Sequence, residues 1–229
     1  MFGTIIFLPV YLQAVKGFSP TESGLALLPA IIGIFSTSIS SGQLITRTGR
    51  YKIFPVIGAV VMTVAMVLLS QLDVDTPFWQ VAIYEYLFGA GLGFTMQTIV
   101  TAVQNSVEYR DMGSATSSTT FFRQMGGSVG AAVFGAVLST RLAHYLVEQL
   151  AEAGINPGAG GPPVEANDVQ GIQHLAEPVK SIVLGAFTSA LDDVFLVGVP
   201  FLVIAFVVAL TLKEVPLRTG QTVPSEPQL

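Results

Sequence analysis

Val194–Leu212 reads V-F-L-V-G-V-P-F-L-V-I-A-F-V-V-A-L-T-L and contains no ionisable side chain. A helix needs about 20 apolar residues to cross about 30 Å of hydrocarbon, and this segment meets that length. Working outward, Ser23 to Thr46 and Ile53 to Leu72 are equally free of charge. Thr76 to Val107 carries only Glu85, and Met112 to Thr140 only Arg123. Met1 to Val15 is also uncharged but supplies only about 22 Å of helix at about 1.5 Å per residue, with no basic leader before it and no small-residue cleavage site after it. It is expected to be the end of a longer span, and the chain a fragment. The fold class that follows is all-α and integral to the membrane, a six-transmembrane-helix bundle.

Composition agrees. The chain is 51% hydrophobic and 11% charged, with a mean hydropathy of +0.66, far from the balance of an ordinary soluble domain. The absence of cysteine removes disulfides, thiolate nucleophiles and Cys-based metal sites, and two isolated histidines, His144 and His174, are too few for a histidine-rich centre. There is neither H-E-x-x-H nor G-x-S-x-G. No enzyme, metal or cofactor is expected. The net charge of −5 carries little information about partners, which are expected to be membrane lipid, a small-molecule substrate and a missing N-terminal half, with no nucleic acid.

The expected spans are 1–15, 22–46, 53–72, 77–104, 113–139 and 190–213, with a long outer connection at 140–189 and a polar tail at 214–229. Lys16 to Glu22 reads K-G-F-S-P-T-E: Gly17 can end one helix, Ser19 can cap the next with Pro20 at its first position, and Glu22 stands at capping-box spacing. Arg47, Arg50 and Lys52 crowd the connection between the second and third spans, whereas the next connection holds Asp73 and Asp75. The positive-inside rule makes the first of these cytoplasmic. The connection with Glu108, Arg110 and Asp111 then falls on the same side, together with Lys213, Arg218 and the C-terminus. Lys16, Arg141 and Lys180 fall outside.

Within the outer connection, Arg141 to Ala153 is amphipathic, with Leu142, Leu146 and Leu150 on one face. Gly154 to Gln170 is expected to be irregular, and a helix near Glu177 to Leu191 to lead into the last span. Asp192 and Asp193 are expected as acidic caps at the head of that span. Pro9, Pro29, Pro55 and Pro200 are expected to bend their helices.

Helices in lipid associate through close approach of small residues rather than hydrophobic burial. Gly89 and Gly93 form one small-xxx-small pair and Gly126 and Gly130 another, and both are expected as packing seams. Glu85 lies about two turns into its span, and Gly89, Gly93 and Gln97 follow at i+4 steps. A carboxyl group in that setting suits proton exchange near neutral pH; reaching the interface, or bonding to Tyr84, Tyr86 or a neighbouring helix, is the alternative. Arg123 stays charged and requires an acceptor, a cavity or the headgroup region. Glu85, Gln97, Arg123 and Gln124 are therefore the candidates for a substrate or proton pathway. Phe94, Met96, Phe121, Phe122 and Met125 could line an adaptable cavity or face lipid.

Gly42-Gln-Leu-Ile-Thr-Arg47-Thr-Gly49-Arg50-Tyr-Lys52 resembles the cytoplasmic loop signature of the major facilitator superfamily. Gly42, Arg47, Gly49, Arg50 and Lys52 match it. Thr46 departs, standing where the strongest copies carry Asp, which argues against a carboxylate lock on this side. G-F-S-P-T-E-S-G-L-A-L-L-P from Gly17, G-L-G-F-T-M-Q from Gly91, F-F-R-Q-M-G-G-S-V-G from Phe121 and K-E-V-P-L-R from Lys213 together resemble the C-terminal six helices of the fourteen-span drug:proton antiporters. The resemblance implies a multi-pass plasma-membrane exporter of small amphipathic or cationic compounds, driven by proton influx, with a cavity between two six-helix bundles, each built of inverted three-helix repeats. A metabolite permease half and a non-transporting membrane scaffold are the alternatives.

Overall fold

The computed structural model describes residues 2–155, 172 and 175–214. Helices account for nearly all of the described residues: α1 Phe2–Ala14, α2 Pro20–Leu25, α3 Leu28–Thr48, α4 Ile53–Leu69, α5 Phe78–Ser106, α6 Met112–Glu152 and α7 Val179–Thr211. A 3₁₀ turn, Tyr109–Asp111, leads into α6. The helices span α2–α3 together, α5, α6 and α7 long and apolar enough to cross a membrane, while α1 and α4 are apolar but shorter.

The first reversal follows the local chemistry of the sequence. Gly17 takes a left-handed φ of 70°, and the Phe18 amide returns to the Leu12 carbonyl at 3.0 Å, closing α1 as only glycine does without strain. The Ser19 amide then donates to Glu22 Oε2 at 2.8 Å while the Glu22 amide donates to Ser19 Oγ at 3.2 Å, a complete capping box ahead of α2. Here the expected second span differs. It is interrupted after Leu25, because Pro29 has no amide to give the Leu25 carbonyl and its ring crowds that turn.

The prolines otherwise divide by position. Pro29 and Pro55 occupy the first turns of α3 and α4, where amide donors have no helical partner in any case, so they start helices instead of bending them. Pro9 and Pro200 do lie inside helices.

At 41 residues, α6 is about 60 Å long, roughly twice the hydrocarbon thickness. The expected boundary near residue 140 is absent: between Gly135 and Gly154 neither glycine nor proline interrupts the chain, so the helix continues until Gly154, at φ 72°, lets the Ile155 amide return to Leu150 at 2.9 Å. Likewise α7 runs unbroken from Val179. The outer connection placed at 140–189 is thus largely two helical extensions. Most of Gly154–Gln170, His174, Arg218 and the tail from 215 lie outside the described residues.

Those extensions pack on each other. Arg141 Nε lies 3.1 Å from Asp193 Oδ2, which also accepts the Tyr145 hydroxyl at 3.0 Å. Asp192 and Asp193 are therefore not caps, because α7 begins well before them. Asp193 joins α7 to α6, and Asp192 faces the backbone of Leu72 in the connection that follows α4. At this same end Tyr11 donates to the Asp73 carbonyl at 2.8 Å and Lys16 Nζ donates to the Val74 carbonyl. Burial pushes the Lys16 ammonium down, opposed by Asp75 and Asp73.

At the opposite end Gly49, at φ 71°, terminates α3, and the buried Tyr51 donates to the Lys213 carbonyl at 3.1 Å. Arg47, Arg50, Lys52, Arg110 and Lys213 consequently share one end of the bundle. Outward faces are oily: Phe35, Ile39, Val64, Ile204 and Val208 are all exposed, a surface that water does not favour and lipid does.

Candidate functional site

Packing around α5 is uneven, and that unevenness creates the site. On one side α5 meets α3 through glycines. A Cβ on Gly89 would overlap the Ala30 carbonyl, one on Gly93 the Thr37 hydroxyl, and one on Gly33 the Tyr86 carbonyl. Thr37 Oγ1 donates across the seam to the Ala90 carbonyl at 2.8 Å, and Ser38 Oγ to the Gly93 carbonyl at 3.2 Å. On another side Gly91 nests against Met62 and Gly58 of α4. Helices α3, α4 and α5 thus form a close unit, whereas α5 approaches α6 at few points.

Between α5 and α6, backed by α4, α7 and the start of α1, lies a cavity of about 740 Å³. Its walls run from Phe88 to Val103 on α5 and from Phe134 to Thr119 on α6, about 22 Å in each case. The inner end is shaped by two glycines. Gly3 leaves room for the Phe134 ring and Gly198 for Met66, and Phe134 meets Phe7 edge-on at 6.5 Å. At the other end Gln104 donates to Thr116 at 3.2 Å, joining α5 to α6. Size and apolar lining fall in the range of small-molecule sites.

The second glycine pair belongs to this cavity. Gly126 and Gly130 line it, and a Cβ at either would meet nothing within 4 Å. Among the described residues no helix is set against them, so they form no packing seam within this bundle as described. Arg123 lies on the same wall, exposed and without an ion pair among the described residues. Gln124 is exposed on a neighbouring face and lines neither this cavity nor the second one at the cation-rich end. Phe122 and Met96 do line the cavity, a role the sequence left open against lipid contact.

Glu85 is placed elsewhere. It is fully buried, and neither carboxyl oxygen has a hydrogen-bond partner among the described residues. The tyrosines that might have satisfied it are engaged otherwise: Tyr84 accepts from Gln80 at 2.6 Å, and Tyr86 lies 3.5 Å from Ser36 Oγ. The expected stripe from Glu85 to Gln97 is no polar path, because the backbone of α3 fills it at Gly89 and Gly93. Gln97 emerges instead in a second, more polar cavity of about 700 Å³ at the cation-rich end, which it shares with Gly42, Thr46, Gln104 and Asn105. Of the loop motif, Gly42 lines this cavity, while Arg47 and Arg50 are exposed and Lys52 is partly so. Thr46 donates to Gln43 of its own helix at 2.8 Å.

Sequence reasoning missed Tyr51, whose buried hydroxyl ties the motif loop to the end of α7, and the Arg141–Asp193–Tyr145 cluster. The pairing of charges in the two extensions was available as a signal, but only the continuity of both helices brings them together.

Comparison with known proteins bears on what such a bundle is for. The family model described as Major Facilitator Superfamily matches residues 1–131. An uncharacterized MFS-type transporter of Mycobacterium tuberculosis (strain CDC 1551 / Oshkosh) is 42% identical over 218 residues, covering 95% of this chain and 31% of that protein. The multidrug transporter protein MdtP of Bacillus subtilis (strain 168) is 32% identical over 239 residues, covering 95% of this chain and 44% of its own length. A tetracycline resistance determinant of Streptomyces rimosus is 33% identical over 138 residues, 60% of this chain and 40% of that protein. The chain thus spans less than half the length of each of these relatives. With an all-α membrane fold, an oily exterior and a family match over more than half of its residues, the chain belongs to the Major Facilitator Superfamily.

Proposed function

We propose that this chain works as the C-terminal six-helix bundle of a proton-coupled exporter of drugs or other small amphipathic compounds in the plasma membrane, with its C-terminus cytoplasmic. The observation that carries the reading is the long apolar cavity beside α6, with Arg123 on its wall and Phe121, Met125 and Val129 exposed on the same helix. A face of that kind fits both a ligand and a second bundle against which this one rocks. The names of the relatives, a multidrug transporter and a resistance determinant among them, favour export over uptake of a metabolite. Collection of Arg47, Arg50, Lys52, Arg110 and Lys213 at one end supports the assigned orientation.

Glu85 is the proton-carrying group in this reading. An anionic carboxylate buried without a partner is costly in hydrocarbon, at least about 2.5–3.5 kcal/mol, so such a side chain changes charge when a conformational change admits water or a partner. Thr46 and Gln97 serve the cytoplasmic entrance, and the Gly89–Gly93 seam keeps α3 and α5 moving as one body.

The test is transport in proteoliposomes carrying an imposed pH gradient. The chain would be reconstituted alone and together with the N-terminal portion of a full-length relative, and ethidium and tetracycline followed as cargo. Gradient-driven movement by the pair, absent from the chain alone, is expected. Glu85→Gln should remove the dependence on the gradient while leaving equilibrium cargo binding in place. Movement by the chain alone would overturn the two-bundle reading, and no movement by the pair of either compound or of an anionic amphiphile such as a dansyl fatty acid would overturn export.

A further inference from the structure

The wall of the 740 Å³ cavity is nearly all hydrocarbon, and its few polar groups are unequal. Thr95 spends its hydroxyl on the Gly91 carbonyl at 2.9 Å, and Thr119 spends its own on Ala115 at 2.9 Å. Both donors are consumed by their own helices. Only the Arg123 guanidinium, among the described lining residues, offers free donors, and no carboxylate lines the cavity. Glu85 lies close by in sequence to Phe88 but contributes nothing to the wall, and Glu108 and Asp111 are drawn to Arg110 at the exposed turn before α6.

Position adds direction to this chemistry. Arg123 stands one helical turn from Thr119, near the cation-rich end, and the wall beyond it runs through Gly126, Gly130 and Phe134 without another charge. From Arg123 to Phe134 is about 16 Å along the helix, the reach of an extended chain of about a dozen carbons. The open glycines let such a chain lie against the α6 backbone.

We infer that the cavity binds an elongated anionic amphiphile, its carboxylate or sulfonate paired with Arg123 and its hydrocarbon part laid along Gly126 and Gly130 toward Phe134. This rests on the export reading for its physiological setting, and it narrows the cargo from amphipathic compounds in general to anionic ones. A planar guanidinium recognises an oxyanion bidentately, and the apolar lining beside it offers no competing acceptor. A lipophilic cation would find a like charge and no counter-ion there. The anionic head could come from a bilayer lipid or from a free compound; the chemistry is the same.

Equilibrium binding, with no gradient, tests this apart from transport. The full chain in nanodiscs of phosphatidylcholine would be titrated with 11-(dansylamino)undecanoate, its neutral methyl ester and a dansyl trimethylammonium of matched length, following dansyl fluorescence. The anion is expected to bind at least about tenfold more tightly than the ester, and the cation more weakly than either. Arg123→Gln should erase the preference for the anion while leaving ester binding in place, which also shows that the variant is folded. Arg123→Lys should keep part of it, and Gly130→Leu, whose side chain enters open space, should weaken both anion and ester. Adding phosphatidylglycerol identifies the source: displacement of the probe marks a lipid occupant, retention a free one, and either supports the shared chemistry. Tighter binding of the cation, or an anion preference unchanged in Arg123→Gln, would overturn the inference while leaving the export reading standing.

Discussion

At the scale of single residues, glycines at identical spacing have opposite surroundings. Gly89 and Gly93 press on the backbone of α3, whereas Gly126 and Gly130 face open space. A methyl group added to the first pair forces two packed backbones apart, while on the second pair it only improves helix propensity. We therefore expect Gly89→Ala to cost about 1–3 kcal/mol by overpacking, and Gly126→Ala or Gly130→Ala to be neutral or stabilising by up to about 1 kcal/mol. Chemical unfolding in mixed detergent micelles measures the difference, and equal losses for both pairs would refute the assignment. The spacing was legible in the sequence. Which pair has a partner was not, because small-xxx-small states only that a close approach is permitted.

At the scale of elements, two local devices carry separate expectations. The Ser19 amide and hydroxyl, through hydrogen bonds to Glu22, hold its carboxyl below the usual glutamate range. A carboxylate depressed in the folded state contributes stability that is present above the unfolded value and lost as pH falls through the folded one. The Ser19 amide resonance should accordingly titrate below the usual glutamate range, and Glu22→Gln should abolish that titration. A Ser19 amide indifferent to pH in the unaltered chain would count against the capping box. The second device is the junction of the α6 and α7 extensions. Its ion pair is half exposed, so Asp193→Asn should cost no more than about 1 kcal/mol globally, yet quicken amide exchange around Tyr145 and Gly185 relative to the α3–α5 seam. The Tyr145 phenol, pushed up by burial and by the Asp193 carboxylate, should ionise at lower pH in that variant. Unchanged exchange would mean that leucine packing, through Leu138 and Leu142, holds the extensions by itself.

At the scale of the whole molecule, the arrangement of ends is the main expectation. Because the chain contains no cysteine, single introduced thiols report sidedness without background. Thr48→Cys and Ser106→Cys should be labelled from one side of the membrane, and Asp75→Cys and Gly154→Cys from the other, by an impermeant maleimide. Labelling of Thr48→Cys and Asp75→Cys from the same side would show that α4 does not cross. That helix is among the shorter apolar ones, at 17 residues, or about 25 Å, so it is the most informative to test. Its buried face, with Met62, Ala65 and Met66 in the central core, argues that it crosses as part of the bundle, with α7 and α5 on either side.

The amino-acid sequence by itself determined the solvent and the order of elements. Charge-free runs of hydrophobic residues leave a backbone no stable state in hydrocarbon except a helix, and clustered cations, Gly17, Ser19 and Gly49 mark where helices reverse. These are short-range or additive properties, readable without knowing any partner. Tertiary structure decided the rest: that α6 and α7 run on as paired extensions, that Asp193 is a tie between helices and not a cap, that Glu85 is sealed away from Gln97, and that Arg123 is the one charged side chain among the described residues lining the long cavity. Each of those depends on which face of one helix meets which face of another, and in lipid that choice comes from shape complementarity and a few interhelical hydrogen bonds, terms to which hydropathy is blind.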